Sequence, residues 1–190
     1  MKEKQKGNPV LLAFLLGVIL LMVMSAISPC SCGRSRTLAI RTACQSNLHQ
    51  FDLALSAHCY PPVTNYPPDL SGLSSNDVCP ELFVCPGSRN QAGALSNASE
   101  WMDYIYTRGL GPDTPAGVPV IICPFHEKDG GFNYLDSDRS TRWVKEPNTV
   151  VGMLEDLVQR GYEFHVSERV QRQFGGRIRS SENWGDTSSD

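Results

Sequence analysis

The sequence predicts an α+β protein: an N-terminal transmembrane helix continues into an amphipathic stalk helix packed on a small antiparallel sheet, with one C-terminal helix and a flexible tail. Three observations predict it. Residues 10–28 form an uncharged apolar run, residues 34–60 carry apolar side chains at helical spacing, and the best β-branched segments crowd between Val118 and Val144. The implied organisation is a leader-like segment over 1–9, a membrane span over 10–28, a stalk helix over 34–60, a small α+β domain over 61–163 and a tail over 164–190.

The run Val10 to Ile27 contains Leu, Ile, Val and Met without a charge. As a helix it would extend about 27 Å, close to the thickness of a bilayer's hydrocarbon core. Lys2, Lys4 and Lys6 precede it, so a cleaved secretory signal is the rival reading. Ala26-Ile27-Ser28 has the small-x-small pattern of a cleavage site, but Pro29 follows at once. A retained anchor is therefore expected, with single-pass inner-membrane placement and the C-terminal domain outside the cytoplasm.

In the stalk, Ile40, Cys44, Leu48, Phe51 and Leu55 recur every three to four residues and form one helical face. Arg41, Gln45, His49 and Asp52 fall on another. Pro61 and Pro62 are expected to stop the helix. Further on, Leu82 to Cys85 reads as a short edge strand ending at Pro86, and Trp101 to Tyr106 as a strand. Pro61 to Asn76 and Ser88 to Ser99 read as loops. Val118 to Cys123, Phe132 to Leu135 and Arg142 to Val144 predict a three-stranded antiparallel meander able to bury the stalk's apolar face. Asn148 is placed to cap a helix with Val150, Val151, Leu154, Leu157 and Val158 on its apolar face, ended by Gly161. From about Gln171 the chain is Gly-, Ser- and Arg-rich.

From Gly33 onward 14 Lys and Arg stand against 19 Asp and Glu, and no basic cluster interleaves with aromatics. Nucleic-acid binding is therefore not expected. Seven cysteines favour an oxidising compartment. Spacing does not fix their pairing, and a Cys79–Cys85 disulfide closing Pro80 to Val84 is the preferred arrangement. Alternatively, Cys79, Cys85, Cys123 and His126 are candidate zinc ligands, because Cys85-Pro86 and Cys123-Pro-Phe-His126 resemble the tight turns of zinc knuckles. Asp136 and Asp138 are candidate calcium ligands, although their spacing matches no defined calcium loop. His126 with those two aspartates is a superficially catalytic trio. No nucleophile motif accompanies it, and aspartates at a hairpin tip usually cap turns, so no enzyme activity is expected.

Cys44-Gln-Ser46-Asn47-Leu48-His-Gln50 followed by Ala54-Leu55 resembles the Cys-x-Ser-Asn-Leu-(Lys/Arg)-Gln…Ala-Leu pattern of bacterial prepilin-like proteins. Cys85-Pro86 and the run His126, Gly130, Gly131, Asn133, Asp138, Trp143 resemble more narrowly the C-terminal signature of the prepilin-type processing-associated H-X9-DG family. That resemblance implies a membrane-anchored, pseudopilin-like protein of a type II secretion or type IV pilus-type system, partnered by the membrane and by other pseudopilin subunits. A second functional reading is a tethered zinc-binding or small hydrolytic domain. The chain departs from the family in two places. Leu12 stands where prepilins carry a glutamate, and Arg139-Ser140 replaces Gly-His at the hairpin tip. A non-glycine residue there is expected to be strained if the turn needs a positive φ.

Overall fold

The computed structural model describes residues 17–20, 32–60, 63–76, 78–145, 149–174 and 176–178. The chain divides into two compact units, Met1–Arg36 and Thr37–Asp190. In the first, the described residues are a short helical piece over 17–20 and the opening of helix α1.

Helix α1 runs from Cys32 to His58, 27 residues without a proline. Its predicted stripe is buried where it meets the sheet domain, with Cys44, Leu48 and Phe51 fully enclosed and Leu55 nearly so. Leu38 and Leu53 lie on the exposed side. Packing of the stripe from Cys44 to Leu55 supplies what helix propensity alone would not.

Among the described residues no helix is long and apolar enough to cross a membrane. Of the span expected over 10–28 only residues 17–20 are described, about 6 Å of helix. The one long helix, α1, carries Arg36, Arg41, His49 and Asp52 and is too polar to stand in for it. The transmembrane element and the single-pass inner-membrane placement with an extracytoplasmic domain are corrected accordingly. The leader-like residues 1–9, Cys30, Pro61, Pro62, Asn148 and residues 179–190 lie outside the described residues.

The second unit is built on a five-stranded antiparallel sheet. Its strands are β1 (Ile105–Thr107), β2 (Pro119–Cys123), β3 (Gly131–Asp136), β4 (Thr141–Lys145) and β5 (Phe164–His165), in the order β4-β3-β2-β1-β5. The expected meander is β2-β3-β4, with Cys123 opposite Asn133 and Asn133 opposite Trp143. Every residue of β2 is buried, so both faces of the central strand are covered. Edge strand β4 is half-exposed and carries Arg142 and Lys145, charges that blunt a free edge.

Several local expectations change. Leu82 and Phe83 belong to a 3₁₀ turn, Pro80–Phe83, rather than an edge strand; its first position suits the fixed φ of proline. Trp101 ends the short helix α2 (Ala98–Trp101), and the strand begins only at Ile105. Leu70–Asn76 forms a 3₁₀ turn within the expected loop. Helix α3 (Val150–Gln159) starts one residue later than expected and is capped by Thr149, whose Oγ1 accepts the Gly152 amide at 3.1 Å. The segment read as a tail supplies β5 and helix α4 (Glu168–Gln173), and Phe164, Val166, Val170 and Ile178 join the core.

The β3–β4 turn carries the strain expected of its missing glycine. Arg139 sits at φ +69°. Its guanidinium makes a two-pronged bond to Asp52 of α1, Nε to Oδ1 at 2.9 Å and Nη2 to Oδ2 at 3.1 Å. Asp52, assigned to the polar face by spacing, is 4% exposed. Tertiary packing turned it into an anchor between helix and hairpin.

Candidate metal centre

Four segments converge beneath the middle of α1. Cys44 comes from the helix's buried stripe. Cys85 stands in the turn after Pro80–Phe83, Cys123 ends β2, and His126 lies in the 3₁₀ helix Pro124–Asp129 that follows at once. The three Sγ atoms and the histidine nitrogen all lie within 4.8 Å of one another, and all four residues are buried. Cys85 Sγ is 3.2 Å from Cys123 Sγ and 3.4 Å from His126 Nε2. Donors around a tetrahedral zinc, with bonds of about 2.0–2.3 Å, stand roughly 3.5–3.8 Å apart. The spacing and the donor set fit such an ion.

Local chemistry shapes the site from each side. Pro86 and Gly87 fold the chain back so that Ser88 N donates to the Cys85 carbonyl at 2.9 Å, and Gly87 N points at Cys85 Sγ at 3.4 Å. A Cβ on Gly87 would come within 3.0 Å of the His126 ring, so a side chain there would push the imidazole aside. Beneath the turn Asp103, fully buried, accepts the Cys85 amide at 3.0 Å and the Asn90 amide at 2.6 Å, and also Ser88 Oγ. Burial pushes the Asp103 carboxyl up, against the pull of those donors. On the other flank Trp143 stands edge-on to the His126 ring with centroids 6.2 Å apart, and Arg41 stacks over Trp143 at 4.0 Å. Gly131 makes room for that indole, since a Cβ would meet it at 2.8 Å and the Val144 carbonyl at 2.1 Å.

The thiols are electrostatically coupled. Hydrogen bonding from Cys123, then from Cys85, holds the Cys44 thiol far below its ordinary value. Burial, then hydrogen bonding with Cys44 and Cys85, holds the Cys123 thiol well above it. For Cys85 the hydrogen bond with Cys123 lowers the value, but Cys44 and burial outweigh it and raise the thiol. Thiolates packed this closely in a buried site repel one another and lack water to solvate their charge. A divalent cation is what allows all three to ionise together.

Cys79, named from sequence as the fourth ligand, is exposed and contacts Glu81; Cys44 takes its place. Cys79 and Cys85 are both free thiols, so the expected disulfide is corrected. A ring closed by near neighbours was the wrong criterion, because Cys85 is drawn inward by the turn at Pro86. Among the described residues this is the one group of three or more metal-binding side chains brought together. Asp136 and Asp138 are engaged otherwise. Asp136 accepts Gly117 N at 2.8 Å and faces Arg142 Nε at 3.2 Å, while Asp138 accepts Ser140 N at 2.9 Å and pairs with Arg142. His126 points to the cysteines, so the supposed catalytic trio does not form a unit.

Of the remaining residues in the motif, Asn47 donates to the Val84 carbonyl and to Tyr104 Oη, each at 3.3 Å, holding the Cys85 segment against α1. Asn133 donates to the Arg41 carbonyl at 3.3 Å. Gly130 adopts φ +81° to end the 3₁₀ helix. Ser46 and Gln50 are exposed. The sequence reading does not name Cys44 as a ligand or Asp103 as the support of the Cys85 turn. Cys44 did stand out as a cysteine on an apolar helical face, but nothing local names its partners.

No protein-family model, curated protein or solved structure matches this chain. With no matching relative and no membrane span among the described residues, the pilus and secretion roles implied by the resemblance have no support here and are set aside.

Proposed function

We propose that this chain is a non-enzymatic, zinc-stabilised module in which one metal ion ties the long helix α1 to the sheet. The observation that carries the reading is the convergence of Cys44, Cys85, Cys123 and His126, four buried donors from four segments, within 4.8 Å. A Cys₃His set of this kind closes the tetrahedron with protein ligands, as structural zinc sites do. A hydrolytic zinc needs a position open to water, and four protein donors leave none. Soft thiolates also favour zinc over calcium or magnesium.

The test is metal analysis of the full chain, with cobalt substitution as a spectroscopic reporter. One zinc per chain and thiolate-to-cobalt charge-transfer bands are expected. Cys44→Ser should lose both, whereas Cys79→Ser should keep both. Zinc retained by Cys44→Ser, or absent from the parent protein, would overturn the reading.

A further inference from the structure

His126 Nδ1 is fully buried and has no hydrogen-bond partner, although its sister nitrogen Nε2 faces Cys85 Sγ at 3.4 Å. The polar group facing Nδ1 is Asp129 Oδ2, 3.6 Å away. We infer that Asp129 is the positioning residue of the metal centre, accepting the Nδ1 proton of His126 and thereby committing Nε2 to the metal. The inference rests on the zinc reading above.

The backbone explains why these two residues meet. His126 and Asp129 are three apart in the 3₁₀ helix Pro124–Asp129. A 3₁₀ helix has three residues per turn, so side chains at i and i+3 eclipse one another, which an α-helix would not achieve as directly. The helix is pinned at both ends. Pro124 opens it and Gly130 at φ +81° ends it, and the Glu127 carboxylate accepts the Val150 amide at 2.8 Å. The Asp129 side chain is 26% exposed, and its Oδ2 stands at 3.6 Å, just beyond hydrogen-bond distance of Nδ1.

The chemistry requires such an acceptor. An imidazole that binds a metal through Nε2 as a neutral ligand carries its proton on Nδ1. Here that N–H points into a site closed to water, between Gly87, whose absent Cβ leaves the ring its room, and the edge of Trp143. A carboxylate taking that proton fixes the tautomer and ring orientation and makes the imidazole a better donor. His126 and Asp129 form a half-site with its support built into one turn of chain.

The decisive experiment uses the full chain, loaded with zinc, in parent, Asp129→Asn and Asp129→Ala forms. Parent stoichiometry is measured first. Zinc affinity is then read by competition with a chromophoric chelator, and the His126 tautomer by long-range proton–nitrogen NMR. Asp129→Ala is expected to bind zinc about 10–100-fold more weakly. Asp129→Asn, which keeps an oxygen acceptor, is expected to lose less. In the parent, His126 is expected to carry a slowly exchanging proton on Nδ1, and in Asp129→Ala that proton is expected to exchange faster. Equal affinities across the three forms, or a His126 that binds through Nδ1, would overturn the role of Asp129 while leaving the zinc reading intact. A parent protein that takes up no zinc would overturn both.

Discussion

Helix α1 is fastened to the sheet domain at two polar points that differ in almost every physical respect. At Cys44 the contact is a closed group of four soft donors, all buried. Two turns further along, at Asp52, it is an ion pair with Arg139 whose guanidinium side is 55% exposed. Between them Leu48, Phe51 and Leu55 supply an apolar seam. Phe51 meets Phe83 and Tyr104 edge to face at centroid distances of 5.2 and 5.3 Å. The ion pair is complete with the residues present. The thiol group is not, since three buried sulfurs within 4.8 Å of one another can ionise together only when a cation offsets their repulsion. On the proposed zinc reading, one fastening depends on a ligand and the other does not.

The largest expected effect breaks the first fastening. Replacing Cys123 by Ser is expected to weaken zinc binding by more than about 100-fold, beyond what an outer-shell change causes, and a chelator in excess is expected to strip the parent of its metal. The same change is expected to lower the melting temperature, because binding free energy at a structural site is folding free energy. Acid acts alike: protons compete for the thiolates, so zinc is expected to leave as pH falls, followed by inductively coupled plasma analysis of dialysed protein.

Phe51→Ala separates the seam from the metal. It is expected to cost about 3–5 kcal/mol in denaturant unfolding while leaving one zinc per chain. Loss of zinc in this variant would mean that the site is held by the seam rather than the reverse.

At the second fastening, Arg139→Ala and Arg139→Gly both leave Asp52 buried without its partner. Only the glycine relieves the strained φ. Arg139→Gly is therefore expected to be more stable than Arg139→Ala by about 1 kcal/mol. Equal stabilities would show that the turn relaxes when the ion pair is removed.

The smallest effect lies beside it. Hydrogen bonding from the Ser140 side chain, then from its amide, holds the exposed Asp138 carboxyl below the ordinary value of 3.8. A depressed carboxyl stabilises the fold above its unfolded value and loses that contribution as pH falls through the folded one. The parent protein is expected to lose slightly more stability below about pH 4 than Asp138→Asn does, checked by thermal melts over an acid series.

These two fastenings also show how far the residues could be read in one dimension. The stripe Cys44, Leu48, Phe51, Leu55 was legible because helical period marks one face whatever that face later touches. The meander was legible from β-branched runs between turn residues. Half of the metal site was legible too, because Cys123-Pro-Phe-His126 is a local half-site whose geometry one tight turn imposes. Cys79 stands six residues before Cys85, yet proximity along the chain carries no weight once a helix delivers Cys44 from the far side. Spacing places Asp52 off the stripe, yet it is 4% exposed. The hairpin tip that covers it begins more than eighty residues later.

What the chain determines by itself is therefore periodic or local: the amphipathic helix, the β2–β3–β4 meander, the Cys-x₂-His turn and the strain at Arg139. Each depends on forces acting within a few residues. What only tertiary structure decided is which distant groups share a volume: Cys44 with Cys85 and Cys123, Asp52 with Arg139, Asp103 with the Cys85 turn. Those meetings follow from burying the apolar face of α1 on the sheet, a process that selects neighbours by packing and carries polar side chains to partners that no spacing rule names.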